Sequence, residues 1–260
     1  MKMGLKRALA VLLLLAPLSA RAATSDEIFA LYARGDYEQA VRAGEASHTA
    51  AGLAVAARAV LAEDVLRDTP CLSCLEHAEA LARQAVAADP HFALGQVWLA
   101  VALGYQARII GSVKARLKDS PAQSKAALDK AVADDPANAY AVSALGGWHI
   151  EIVRGGGATL GRLFYGARES EAVALFDRAA RLAPGNVAVH YQIGLSLAGF
   201  DADKYRARIA AEFKAAQSGV PDTEYEKKIQ GRAAELLGLL NQGAHDAFAL
   251  RVRKYQGFPD

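Results

Sequence analysis

The stretch Glu171-Ala-Val-Ala-Leu-Phe-Asp-Arg-Ala-Ala-Arg-Leu-Ala-Pro-Gly-Asn-Val-Ala-Val-His-Tyr-Gln-Ile-Gly194 decides the fold of this chain. Ala172, Phe176 and Ala179 are spaced four and three apart, the signature of one helical face. Pro184 follows five residues after Ala179. Proline lacks the N–H that would continue the i to i−4 ladder, so it ends the helix. Ten residues past the proline stands Gly194, small enough for a second helix to pack closely on the first.

The same pattern occurs upstream. Ala78, Ala82, Ala85 and Pro90 are followed by Ala100, and Ser124, Leu128, Ala131 and Pro136 by Gly146. A weaker copy reads Ile209, Phe213, Ala216 and Pro221. Repetition at such a period predicts stacked helix pairs. The abundance of alanine and leucine and the lack of β-branched runs point to an all-α chain. The N-terminal Leu31-Tyr-Ala-Arg-Gly-Asp-Tyr-Glu-Gln-Ala40 fits the turn of a first pair. A helix over 51–66 opens the second, which brings the expectation to about five pairs and a capping segment.

This grammar resembles the tetratricopeptide repeat (TPR). The resemblance implies an all-α, right-handed superhelical TPR-like solenoid that binds partners on its concave face. The spacing between prolines departs from the 34-residue unit of that family. Pro90 and Pro136 are 46 residues apart, Pro136 and Pro184 are 48. The surplus falls between the first and second helix of each pair, over 104–124 and 152–168. Insertions in such arrays gather on one face, often the binding face.

The C-terminal half carries Leu145-Gly-Gly-Trp-His149, Glu151 and Phe164-Tyr-Gly166 ahead of the 171–184 helix. It is similar to the regulator-of-microtubule-dynamics group and its bacterial relatives. A microtubule role does not transfer to a chain that reads as exported. Repeat lipoproteins associated with periplasmic solute transporters share the general plan, but the lipid-anchor cysteine is missing at the cleavage point.

Export is read from the first 22 residues. Lys2, Lys6 and Arg7 precede the apolar run Ala8–Leu15, and Ala20-Arg21-Ala22 is a cleavage pattern. Cleavage after Ala22 leaves a single domain over 23–260, periplasmic or secreted, with no transmembrane segment. It also removes four cations and changes the formal charge from +2 to −2. No affinity for nucleic acid is therefore expected.

Against that acidic balance the two insertions are basic. Residues 104–125 carry a formal +4 and residues 152–168 a formal +3. With aromatic residues interleaved, Tyr105, Arg108, Arg116, Trp148, His149, Arg154, Arg162 and Tyr165 are the candidate partner-binding residues. The expected partner is a protein or peptide, or an anionic ligand. Solvated loops whose charge offsets neighbours such as Asp134 and Asp135 are the plainer alternative.

Other motifs fall short of chemistry. Cys71-Leu-Ser-Cys74 lacks the histidine at 75 that haem attachment needs and the second pair that zinc needs, so a local disulfide is expected. Gly155-Gly-Gly157 with Gly161 has Leu160 where a dinucleotide fingerprint needs glycine, and reads as a hinge. His149 and Glu151 are two apart and do not share a helical face for a metal. Gly194-Leu-Ser196-Leu-Ala198 lies mid-helix, unlike a nucleophile elbow. No metal or cofactor and no catalytic residue is expected. The sequence predicts a non-enzymatic scaffold in the cell envelope, or else a solute- or lipid-binding accessory of a transporter.

Overall fold

The computed structural model describes residues 23–259. The leader read in residues 1–22 lies outside the described residues. Among those described there are thirteen α-helices and no strand. Five pairs form the body: α1 (Ser25–Ala33) with α2 (Tyr37–Ser47), α3 (Ala50–Leu66) with α4 (Leu72–Ala88), and α5 (Ala93–Ile110) with α7 (Ser120–Asp134). The fourth is α8 (Ala139–Tyr165) with α9 (Glu169–Leu182), the fifth α10 (Val187–Phe200) with α11 (Arg206–Ser218). The short α6 (Ser112–Leu117) sits inside the third pair, while α12 (Glu224–Asn241) and α13 (His245–Tyr255) close the C-terminal end against α10.

The prolines work as punctuation. Helices α4, α7 and α9 end one residue before a C-cap, and Pro90, Pro136 and Pro184 follow directly. A new helix begins just beyond. Asn138 accepts from the Ala141 N–H at 3.1 Å, Asn186 from the Val189 N–H at 2.9 Å and Thr223 from the Glu226 N–H at 3.1 Å. Each cap satisfies an amide that the first turn leaves without an intrahelical partner.

The small residue after each proline is explained by what it faces. A Cβ on Gly146 would stand 2.7 Å from the ring of Phe176, and one on Gly194 2.7 Å from the ring of Phe213. Phe176 and Phe213 are fully buried. Where the third pair carries Leu128 instead of phenylalanine, Ala100 stands in place of glycine. Volume is exchanged across the pair at constant packing density.

The first helices of the pairs also touch one another. α1 meets α3, α3 meets α5, α5 meets α8, α8 meets α10 and α10 meets α12. They form an inner row, with the second helices packed outside it.

The insertions are largely helical, unlike the solvated loops of the plainer alternative. Residues 104–124 extend α5, form α6 and begin α7, and residues 152–165 extend α8. Gly155, Gly156 and Gly161 stay helical. Gly157 alone leaves helical geometry, at φ 74° and ψ 161°, and kinks α8 there. That positive φ costs glycine nothing and would strain any other residue. Cys71 and Cys74 are bonded at the start of α4, where the Asp64 carboxylate accepts from the Cys71 N–H at 2.8 Å.

Candidate functional site: an arginine-bearing cleft in the inner row

The inner row and the extended helices enclose a cleft of about 850 Å³. Its walls come from α1, α3, α5, α6, α7, α8, α10 and α12, together with Phe258 from the C-terminal segment. Aliphatic and aromatic side chains together make most of the lining, among them Leu61, Val65, Val97, Val101 and Leu103. Four arginines line it as well, Arg58, Arg108, Arg116 and Arg154, against one acid, Glu151.

At one end Glu151 pairs with two of those arginines and offsets one of their two charges. It pairs with Arg108 Nη2 at 3.2 Å and with Arg154 one helical turn along α8. Burial disfavours the Glu151 carboxylate, but the two guanidiniums more than offset that and hold its pKa below the ordinary carboxylate value. Arg108 also donates to the Gln256 carbonyl at 2.6 Å and lies over the rings of Tyr105 and Phe258. Arg154 caps the same Phe258 ring at 4.6 Å. The chain end is thereby drawn back over the cleft. Gly199 makes room for it, since a Cβ there would collide with Gln256, whose Nε2 donates to the Leu195 carbonyl at 3.1 Å.

The rim is both basic and apolar. Arg116 lies 5.2 Å over the Phe164 ring, bringing α6 against the end of α8. Val113, Leu117, Leu160, Leu163 and Phe164 are exposed there.

The other end is built around Arg58 of α3. Its guanidinium lies 4.6 Å from the centre of the Tyr32 ring, 5.3 Å from Trp98, 5.3 Å from Tyr140 and 5.9 Å from Phe29. Its hydrogen-bond partner is the Tyr140 hydroxyl, at a long 3.5 Å. Among the described residues no carboxylate pairs with it. The Tyr32 hydroxyl is buried without a hydrogen-bond partner, and burial pushes its pKa up to about 12.

Of the residues singled out in the sequence, Tyr105, Arg108, Arg116, Trp148, Arg154 and Tyr165 all line this cleft. His149 and Arg162 do not, which corrects their grouping with the rest. His149 turns inward, where its Nδ1 accepts from the Arg168 N–H at 3.2 Å and fastens the chain leaving α8. Burial, and secondarily Lys125, holds its pKa below the ordinary imidazole value. Arg162 is exposed beyond the kink and does not line the cleft. The Trp148 indole donates to the Pro121 carbonyl at 2.9 Å, tying α8 to the start of α7 in the first insertion.

A family model described as regulator of microtubule dynamics protein 1-3 matches residues 51–241. The chain belongs to this family. The match runs from the second residue of α3 to the last residue of α12 and so takes in both insertions and most of the cleft. Tyr32 and Phe258, which line its two ends, stand outside the part shared with the family. No curated protein matches the chain. Among the described residues no helix is long and apolar enough to cross a membrane.

Sequence reasoning missed Arg58. A signal was present, because Arg58 is the only charged residue in the first thirteen residues of the 17-residue α3, which are otherwise apolar. An isolated charge on an apolar helix requires compensation, and here that comes from the faces of four aromatic rings.

Proposed function

We propose that the chain is an exported, non-enzymatic binding protein of TPR-like solenoid build whose cleft holds a small ligand with an apolar body. The observation that carries this is the cleft itself. Its volume falls in the range of ligand sites, and its lining has the usual form, mostly apolar with a few placed polar groups. In this reading Tyr105, Trp148 and Tyr165 contact the ligand. Arg108, Arg116 and Arg154 give the entrance its positive field, which favours anionic over neutral or cationic ligands. This corresponds to the solute- or lipid-binding accessory of a transporter.

A second reading, a scaffold for a protein or peptide, is favoured by the exposed apolar residues of the rim, Leu117 and Leu163 above all. The two readings part on one variant. Ala144 lines the cleft from α8 and is not on the exposed rim. Ala144→Trp should fill the cleft and weaken binding of the neutral dye N-phenyl-1-naphthylamine by roughly tenfold or more, read by fluorescence. Dye binding that is absent from the native protein, or unaltered in the variant, would count against the cleft reading and leave the scaffold.

A further inference from the structure

We infer that Arg58 and Tyr32 form the head-group site of the cleft and that the head group is a carboxylate carrying a single negative charge. This inference rests on the cleft reading above and sharpens it to a ligand class, amphipathic monocarboxylates.

The argument begins with unmet donors. A guanidinium offers five N–H donors. Arg58 is half-buried in the inner row and opens on the cleft, where its one hydrogen-bond partner is the Tyr140 hydroxyl at 3.5 Å. The four surrounding rings stabilise the cation through their faces but accept no strong hydrogen bond. The adjacent Tyr32 hydroxyl is a buried donor without an acceptor. Buried donors without partners are rare in native proteins and call for an explanation. An acceptor entering from the cleft, which both residues line, supplies one.

Charge balance then selects the acceptor. The acid exerting a field on Arg58 is Glu226 of α12. Glu226 makes no ion pair with Arg58 among the described residues, and its Oε2 accepts from the Asp222 N–H at 2.8 Å. It is occupied in holding the start of α12. One unpaired arginine matches one negative charge. The planar guanidinium fork fits the two oxygens of a carboxylate side by side. A dianionic phosphate would bring a second charge into a wall of aromatic rings with no second cation to meet it. At the far end Arg108 and Arg154 both pair with Glu151, so that the charge left there is one shared between two guanidiniums already engaged. The aliphatic lining between the two ends, from Leu61 and Val65 to Val101 and Leu103, suits a hydrocarbon body.

The test is displacement of N-phenyl-1-naphthylamine from the purified protein by decanoate, decan-1-ol and decyl phosphate, which share one chain length. Decanoate should displace the dye at roughly one-tenth of the decanol concentration, in keeping with a charge-assisted hydrogen bond in a buried site. Arg58→Met should abolish that difference while dye binding persists. Tyr32→Phe should reduce it, and Arg58→Lys should retain part of it. The comparison of decanoate with decanol in the native protein stands even where a variant fails to fold. Equal displacement by decanoate and decanol, with the dye bound, overturns the carboxylate site and leaves the cleft reading intact. Stronger displacement by decyl phosphate overturns it in favour of a dianion. A native protein that takes up no dye overturns the cleft reading together with this one.

Discussion

Phe213→Ala is expected to lower the unfolding free energy by about 3–5 kcal/mol, the usual cost of emptying a fully buried aromatic position. The ring sits between α10 and α11 against the bare Cα of Gly194, in contact geometry with Tyr191 at 6.3 Å between centroids. Its loss leaves a cavity that the neighbouring helices cannot close, because each is pinned by its own pair. The compensation between the two helices makes a sharper version possible. Gly194→Ala alone places a Cβ 2.7 Å from the ring and should destabilise by about 1–3 kcal/mol, despite the better helix propensity of alanine. Combined with Phe213→Leu, which restores the Ala100 and Leu128 combination of the third pair, it should cost less than the two changes added together. Urea unfolding of the four proteins in a double-mutant cycle measures the coupling. Strict additivity would mean that Gly194 and Phe213 do not owe their identities to one another.

Glu212→Leu is expected to cost about 3–5 kcal/mol through the ion network beside that ring, because it strands buried positive charge. The Glu212 carboxylate receives Arg208 Nε at 2.5 Å on one oxygen and lies 2.5 Å from His190 Nδ1 on the other. Arg208 continues to Asp177, so α9, α10 and α11 are joined in one chain of charges. His190 has an acceptor at each ring nitrogen, Glu212 at Nδ1 and the Pro184 carbonyl at 3.0 Å from Nε2. Two acceptors require two N–H groups, which is the imidazolium. The hydrogen bond to Glu212 raises the His190 pKa above its ordinary 6.5, against the opposing effect of burial.

The sign of the pH dependence follows. A group whose folded pKa is raised contributes its full stabilisation below the unfolded value and loses it as pH rises through the folded one. The native protein should therefore lose stability from His190 as the medium passes from weakly acidic to alkaline. Glu212→Leu should lose that slope as well as the baseline stability. Urea midpoints recorded across this range check both. A variant that retains the slope would assign it to another group.

The parts of the fold that were legible in the sequence are those set by local rules. The four-and-three spacing of Ala172, Phe176 and Ala179 and the stop at Pro184 depend on helix period and proline stereochemistry alone. The positions of α4, α7, α9 and α11 follow directly. The glycine run is legible as a hinge, which falls at Gly157, but the helical course of Gly155, Gly156 and Gly161 on either side of it is not, because each counts as a breaker in isolation. The cleft was half visible. Tyr105, Trp148 and Tyr165 were found because the insertions lengthen two repeats and carry a charge excess. Arg58 and Tyr32 come from repeats of ordinary pattern, and their juxtaposition arises only when the first helices align in one row. The return of the chain end was not readable at all. The bond from Arg108 to the Gln256 carbonyl joins residues 148 apart, and neither side carries a local mark of the other.

The claim on which the rest depends is that the inner row holds a small ligand. Native mass spectrometry of the protein, released from its own compartment without denaturation, tests it most directly. The account predicts an added small-molecule mass on the native chain that Ala144→Trp lacks. A bare chain, or a chain carrying only another protein, would contradict it.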